Sequence, residues 1–547
     1  MRIRSAGDAA LLLETSATHH EGNGAAAIAA VVRAADLPGV IDIVPGAATV
    51  LISVVPGSSV TAALATRLTE LVEAAEREGS GGPAAPAALK KQSRTEIEVC
   101  YDGPDLADVA ALTGLPVEQV IARHQAPDYQ VGWLGFAPGF AYLTGLDPLL
   151  ATVPRLDSPR LRVPAGSVAI AGGLAAVYPA ASPGGWRLIG RTAAALWEPG
   201  RDPPALLTPP TRVRFRAVDS LPPRREPDVV ADEPLVPAEV RRVRVLQPGP
   251  LATIQDLGRA GLAHLGVPAS GAADVPSLRL ANYLVGNEPG DACVEVTLGR
   301  LVLQVDCDAV VAVTGAATPI RVSAVAGGRP TASDREESPG TAFTVGPGSE
   351  LRLGAPTTGL RTYVAISGGV GVTPVLGSQS TDSLSGLGPT PLRPGDWLPL
   401  NRPRSRPEGQ GSERPSAAAA GSGGDPVELR VIAGPRDDWF ASDALAALAG
   451  ETYIVSPASN RTGLRLTGPE LRRTRLPELP SEGMATGSLQ VTHDGQPILL
   501  LADHPTTGGY PVIAVVVTAD IGRAAQLRPG QQIRFRITRD LVPASTS

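Results

Sequence analysis

Lysine is nearly missing from this chain. Of 48 basic residues in 547 only Lys90 and Lys91 are lysines. No Gly-Lys-Ser/Thr phosphate loop can be built from "ALKKQS", so a nucleotide site would rely on arginine, backbone N–H groups and helix ends. The same shortage removes the lysine, usually flanked by methionines, that carries biotin, so no biotin is expected on this chain. Cysteine is scarce too. Cys100, Cys293 and Cys307 are widely spaced and odd in number, which offers no metal cluster, predicts no metal site and suits a reducing cytoplasm. Long apolar runs are absent: "PVIAVVVTA" at 511–519 has strand length and falls far short of a bilayer span. The opening "MRIRSAGDAALLLE" carries charge within its apolar part and no small-residue cleavage pattern, so no signal peptide is expected. A formal net charge of -6 with no basic block argues against nucleic acid as a partner.

Glycine and proline are what the chain has in excess. With 61 Gly, 54 Pro and 43% hydrophobic residues it can build cores but disfavours long helices, so turn-rich β structure is expected. The length implies about three to five domains. Residues 1–78 read as a small α+β unit, with strands in "RIRSAGDAALLLET" and "VIDIVPGAATVLISVVP" and an amphipathic helix in "VTAALATRLTELVEAAERE". Linker composition follows at 79–93, again at 219–241, and most clearly at 403–426, where a disordered tether is expected. Three blocks remain: 94–218, 242–402 and 427–541. Each opens on an alternating strand ("TEIEVCYD", "VRVLQPG", "ELRVIAGP") and closes on a proline turn and strand ("LTPPTRVRF", "LRPGDWLPL", "LRPGQQIRF"). That rhyme suggests three related β domains, closed as barrels to hide their edges.

Scarce aromatics are concentrated in "GWLGFAPGFAYLTGL" (132–146). Glycines there let backbone approach a ligand or another strand, and flat rings beside them exclude water. Gly135, Phe136, Gly139 and Phe140 are therefore pocket-wall candidates, with Gly184, Gly185 and Trp186 of "SPGGW"; the alternative is that the rings plug a barrel end. Ser167, after a Pro-Ala-Gly turn, can donate to an anion or satisfy the turn. Arg191 is the preferred anion clamp, because its fork binds carboxylate or phosphate bidentately. Asp256 and Arg259 in "QDLGR" read as a loop-holding pair or as site residues, and Ser270 lies in a further loop. The densest polar run is "ADHPTTGGYP": Asp503, Thr506, Thr507, Gly508, Gly509 and Tyr510 suit a phosphate or amide cradle, or an internally satisfied hairpin. Arg461 and Glu482 are weaker candidates.

Three strings, "VIARHQAPDYQVGWLGFAPGFAYLTGLDPLL", "PRLDSPRLRVPAGSVAIAGG" and "YPAASPGGWRLIGRT", resemble the B-subunit family of prokaryotic 5-oxoprolinase, also called allophanate hydrolase subunit 1 and, for some members, kinase inhibitor. From Val243 onward "QDLGRAGLAHLGVPASGAAD", "VLGSQSTDS", "SNRTGLRLTGP", "SEGMATGSLQV" and "DGQPILLLADHPTTGGYPVIAVV" resemble the C-subunit family of the same enzyme. The chain thus resembles a B–C fusion, similar also to the carboxyltransferase region of urea carboxylase. The resemblance implies a mainly β protein with a small α+β N-terminal domain and three tandem cyclophilin-like barrels. It implies a component of an ATP-dependent 5-oxoprolinase, opening the pyroglutamate lactam to glutamate, with ATP and magnesium as cofactors and, as partner, a separate A subunit. A homo-oligomer is expected. His124 matches a histidine of the B-subunit string, which sets a catalytic role beside a structural one; Asp256 and Asp503 are the other catalytic candidates. Two departures stand out: Leu174, Ala175 and Ala176 replace the usual Gln-Thr-Gly, and Asn460 stands where Asp is common. The alternatives are a carboxyltransferase-like component working with a biotin carried elsewhere, and a regulatory protein that binds a kinase.

Overall fold

In a computed structural model the described residues are 2–15, 24–55, 58–79, 93–223, 241–323, 325–326, 329–330, 335–404, 425–475 and 478–538. Most of the three expected linkers, including Lys90 and Lys91, lies outside them. The first unit is a four-stranded antiparallel sheet ordered Arg2–Ser5, Ala10–Glu14, Thr49–Val54, Val40–Pro45. Its strand "ALLLE" is apolar on both faces for a reason that alternation makes plain. Leu11 and Leu13 pack with Ile28 and Val32 of helix Gly24–Ala34 and with Leu68 and Val72 of helix Ala62–Gly79. Ala10 and Leu12 face the other way, toward Ala263 and Ala485 of the C-terminal half.

The next sheet has seven strands, in the order Arg187–Arg191, Ser167–Ala171, Leu174–Val177, Ala141–Thr144, Tyr129–Leu134, Arg212–Ala217, Arg94–Val99. A bridge between Cys100 and Arg191 joins its two outer strands and closes it. Its core includes Ile97, Tyr129, Ile170, Ile189 and Phe215, and also Leu265, Val267 and Leu387 from beyond the second linker. Burying those three leucine and valine side chains ties the halves together by about 5–8 kcal/mol before conformational entropy is subtracted.

The middle block divides between a six-stranded and a five-stranded sheet. Helix Val275–Val285 lies against the latter through Leu278 and Ala281, with Asp274 capping Ser277 N at its start and Gly286 in the left-handed region at its end. The last block is a closed seven-stranded barrel, from Val427–Ala433 round to Gln532–Ile537. The protein is thus mainly β with a small α+β unit at its N-terminal end.

The rhyme between block starts and ends has a structural cause. Arg94–Val99 pairs in parallel with Arg212–Ala217, and Val427–Ala433 in parallel with Gln532–Ile537. In the middle block Arg242–Gln247 and Trp397–Pro399 also pair, but antiparallel.

Candidate functional site

Two glycine loops that are over 360 residues apart in sequence meet. Phe136, held at φ 64, donates its backbone N–H to Thr507 Oγ1 at 2.9 Å. A Cβ on Gly135 would lie 2.2 Å from that oxygen, so only glycine permits this approach. Gly266 closes on the same loop, where its Cβ would meet the Ala137 carbonyl at 2.3 Å, and Gly139 N–H donates to the Leu265 carbonyl at 3.0 Å. The Tyr142 hydroxyl faces the Ser481 and Thr507 side chains; burial pushes its pKa up and those hydrogen bonds lower it in part. The N-terminal unit arrives from a third side, with Ala47 N–H donating to the Ser481 carbonyl at 2.8 Å. Glu482, beside it, pairs with Arg436, which also binds Glu14; burial keeps the Glu482 carboxyl above its ordinary range.

The aromatic rings stack behind this junction. Trp133 lies parallel to Tyr142 at 4.7 Å, and Trp186 meets Phe140 and Tyr142 edge-on at 5.8 and 5.9 Å. Phe140, Tyr178 and Trp186 are buried, and Phe136 forms the partly exposed edge of the cluster. Gly184 is required where it sits, because a Cβ there would meet the Tyr178 hydroxyl at 2.3 Å; the Gly185 carbonyl accepts from Leu156 N–H.

Asp503, Arg461 and Ser270 come together in a second, fully buried cluster. Arg461 grips both Asp503 oxygens at 2.9 Å, reaches Glu295, and donates to the Gly271 carbonyl. Ser270 Oγ donates to Asp503 at 2.8 Å, and Ser383 adds its own N–H and hydroxyl. Tyr363 donates to Glu295 at 2.7 Å, and Arg361 stands 3.6 Å from it. Burial would raise the Glu295 and Asp503 pKa values; Arg461, helped by Arg361 and Tyr363 at Glu295 and by Ser383 and Ser270 at Asp503, outweighs it, and both stay below the ordinary range. Burial alone would lower Arg461, but the two carboxylates raise it instead. The cluster locks the loop that begins at Asp503 and reaches Thr507 four residues on.

The remaining candidates stand apart. Asp256 accepts from Ser378 Oγ, Ser380 Oγ, Gln379 N and Gly258 N, and Arg259 holds the Val375 and Ser380 carbonyls, so "QDLGR" secures the segment 375–380. His124 is wholly buried among Tyr101, Tyr129 and Phe215, with Nδ1 2.8 Å from the Tyr101 hydroxyl; burial drives its pKa down to about 3. It is therefore neutral and out of reach of solvent. Ser167 donates to the Pro164 carbonyl at 2.8 Å, completing its turn. Arg191 is exposed and pairs with Asp102 at 2.8 Å. Tyr510 is exposed at the tip of its loop. As placed, the loops do not fit a triphosphate: the Thr507 hydroxyl is engaged by Phe136, and the Cα of Gly508 faces Gln490 Nε2, 2.6 Å from where a Cβ would stand.

Sequence reasoning weighed Tyr142 as one ring of the 132–146 segment but passed over Glu295 and Ser481. Glu295 had a signal, a lone charge in the apolar strand "CVEVT". Ser481 had none, because its partners lie in other blocks. Among the described residues no helix is long and apolar enough to cross a membrane.

Comparison with known proteins accords with this architecture. Residues 1–207 match the model of the carboxyltransferase domain, subdomain C and D, and residues 265–537 that of the carboxyltransferase domain, subdomain A and B. The chain is 37% identical over 297 residues to the C subunit of 5-oxoprolinase from Escherichia coli K12, covering 54% of this chain and 90% of that protein. It is 43% identical over 187 residues to the B subunit of 5-oxoprolinase from Escherichia coli O157:H7, covering 34% of this chain and 80% of that one. The crystal structure of TTHA0988 superposes with a TM-score of 0.79 at 34% identity, covering 98% of this chain and all of its own. The chain therefore belongs to the carboxyltransferase-domain family of the 5-oxoprolinase B and C components, and joins in one polypeptide regions homologous to both.

Proposed function

We propose that this protein is the combined B and C component of an ATP-dependent 5-oxoprolinase, which opens 5-oxo-L-proline to L-glutamate together with a separate A subunit. The observation that carries the proposal is the meeting of the Gly135–Phe140 loop of the B-like half with the Thr506–Tyr510 loop of the C-like half. In relatives named as the B and C components these halves are separate chains. A site assembled from both explains why one chain would carry them together.

The groups at the junction suit amide chemistry. An amide that displaced the Thr507–Phe136 contact would find the freed hydroxyl and N–H able to hold the lactam oxygen as charge grows on it, and the buried rings keep water away until the amide is positioned. A relaxed five-membered lactam is a poor electrophile, which is why such an enzyme draws on ATP. The two glycine loops give a triphosphate no cradle, so ATP and its magnesium belong, in this proposal, to the assembled enzyme, acting in the cytoplasm.

The test is turnover. The purified chain, with and without a separately produced A component, is given 5-oxo-L-proline and ATP, and glutamate is measured. Glutamate formed only by the mixture supports the proposal. No glutamate from the mixture, or carboxyl transfer to urea from a carboxylated biotin carrier, refutes it.

A further inference from the structure

The N-terminal unit reaches both sides of the junction through one hairpin, made of strands Val40–Pro45 and Thr49–Val54. On one side the Asp42 carboxylate accepts Gly261 N–H at 3.0 Å and Ala263 N–H at 2.9 Å. Those residues begin a segment whose Leu265 carbonyl accepts Gly139 N–H at 3.0 Å, and so holds the Gly135–Phe140 loop. On the other side Ala47 N–H donates to the Ser481 carbonyl at 2.8 Å. The strand that follows, Glu482–Gly483, pairs with Thr507–Gly508, and Gly483 stands opposite Thr507 itself.

On this second side the approach needs glycine on both surfaces. A Cβ on Gly46 would stand 2.5 Å from the Ser481 carbonyl oxygen, and one on Gly483 2.5 Å from Leu51 Cβ. Extra carbon at such distances forces packed surfaces apart. Arg436 fixes the same strand, since its fork binds Glu482 and also reaches Glu14 of the N-terminal sheet. The hairpin is itself well held. Gly46 N–H closes its turn on the Thr49 carbonyl at 2.7 Å, Val44 pairs with Leu51 and Pro45 with Val50, and Val44, Val50 and Leu51 are buried. Asp42 and Ala47 therefore move as one body.

We propose that this hairpin is a clamp that fixes the spacing of the two junction loops, with Asp42, Gly46 and Arg436 as positioning residues. They act through Leu265 on one side and through Gly483 on the other. Each grip runs from the B-like part of the chain to the C-like part, so the clamp also holds the two parts in register. Only for its effect on turnover does the proposal rest on the junction being the substrate site.

Amide hydrogen exchange on the full chain tests it, with two variants that act on opposite sides. Gly46→Ala sets a Cβ against the Ser481 carbonyl and Glu482 Cα, and Gly46 has no left-handed backbone that alanine would strain. Asp42→Asn weakens the hold on Gly261 and Ala263. The reporters are Gly139 N–H on the Asp42 side and Met484 N–H, bonded to the Thr506 carbonyl, on the Gly46 side. Independent contacts would loosen only their own side. A clamp predicts crossed effects: Gly46→Ala should speed exchange at Gly139, and Asp42→Asn at Met484, each about fivefold or more, while amides of the Ile533–Phe535 strand keep theirs. Phe136 N–H, which spans the junction, should speed up in both. Acceleration confined to each variant's own side overturns the proposal. So does a uniform rise that includes Ile533–Phe535, which would mark a loss of overall stability. Should Gly46→Ala not fold, Asp42→Asn decides alone through Met484. With the A component present, kcat/KM for 5-oxo-L-proline should fall in both variants by a factor similar to that at Phe136. Crossed exchange in a chain that forms no glutamate with the A component would refute the proposed reaction and leave the clamp standing; turnover by the natural protein with uncrossed exchange would do the reverse.

Discussion

Replacing Thr507 with valine tests the contact on which the junction depends. Valine keeps the branched shape, so the close packing against Gly135 survives, but the oxygen that accepts Phe136 N–H at 2.9 Å is gone. The amide is left buried behind the loop with no acceptor. A donor stranded in this way costs about 1–3 kcal/mol, which corresponds to roughly 5- to 150-fold in the local opening equilibrium. Read from the sequence as a ligand cradle, this loop predicts lost catalysis with stability intact; read as a hairpin, it predicts silent kinetics or a joint loss of stability and activity. The structure predicts that both change, because the hydroxyl joins two halves of the protein. Hydrogen exchange reads the contact directly: protection of the Phe136 amide should fall by that factor, while amides of the Ile533–Phe535 strand keep theirs. In the turnover assay with the A component present, kcat/KM should fall about tenfold or more, since 1.36 kcal/mol is tenfold in rate. An unchanged Phe136 exchange rate would show that the Thr507 oxygen does not hold the loop, and the argument for a shared site would fall with it.

Three further outcomes follow from buried titratable groups. Arg461→Met leaves Asp503 buried without its counter-ion and Glu295 with Arg361 alone, at 3.6 Å, and should cost about 3–5 kcal/mol by denaturant unfolding; a loss below about 1 kcal/mol would mean that the carboxylates are satisfied without it. His124, at about 3 in the folded protein, lies below its unfolded value, so the unfolded chain binds more protons between the two and stability falls as the pH drops below about 6.5. His124→Asn lacks that contribution, and its stability deficit relative to the natural protein should shrink by about 2–3 kcal/mol from pH 7 to 4.5; a constant deficit would count against the buried neutral imidazole. Asp42→Asn weakens one or both bonds from Gly261 and Ala263 N–H, at 3.0 and 2.9 Å, and should loosen the N-terminal unit by about 1 kcal/mol, seen as faster proteolysis within residues 1–79; an unchanged cleavage rate would discount this contact.

The division between sequence and tertiary structure is clear in particular residues. Composition alone made the protein mainly β, because glycine and proline in such numbers break helices and favour turns. The rhyme of block starts and ends was legible for a physical cause: the first and last strands of each block pair, and so share the demands of one ladder. Long loop strings carried the family. What the residues could not reveal was partnership across blocks. Thr507 looked like a cradle hydroxyl until the fold set Phe136 N–H against it, and Asp503 looked like a catalytic carboxylate until Arg461, Ser270 and Ser383 closed on it. Arg191 had the right chemistry for an anion clamp and the wrong place, paired with Asp102 at the surface. A side chain's chemical type is local and can be read from the chain. Whether its hydrogen bonds are already spent depends on segments hundreds of residues away, and only folding brings those together.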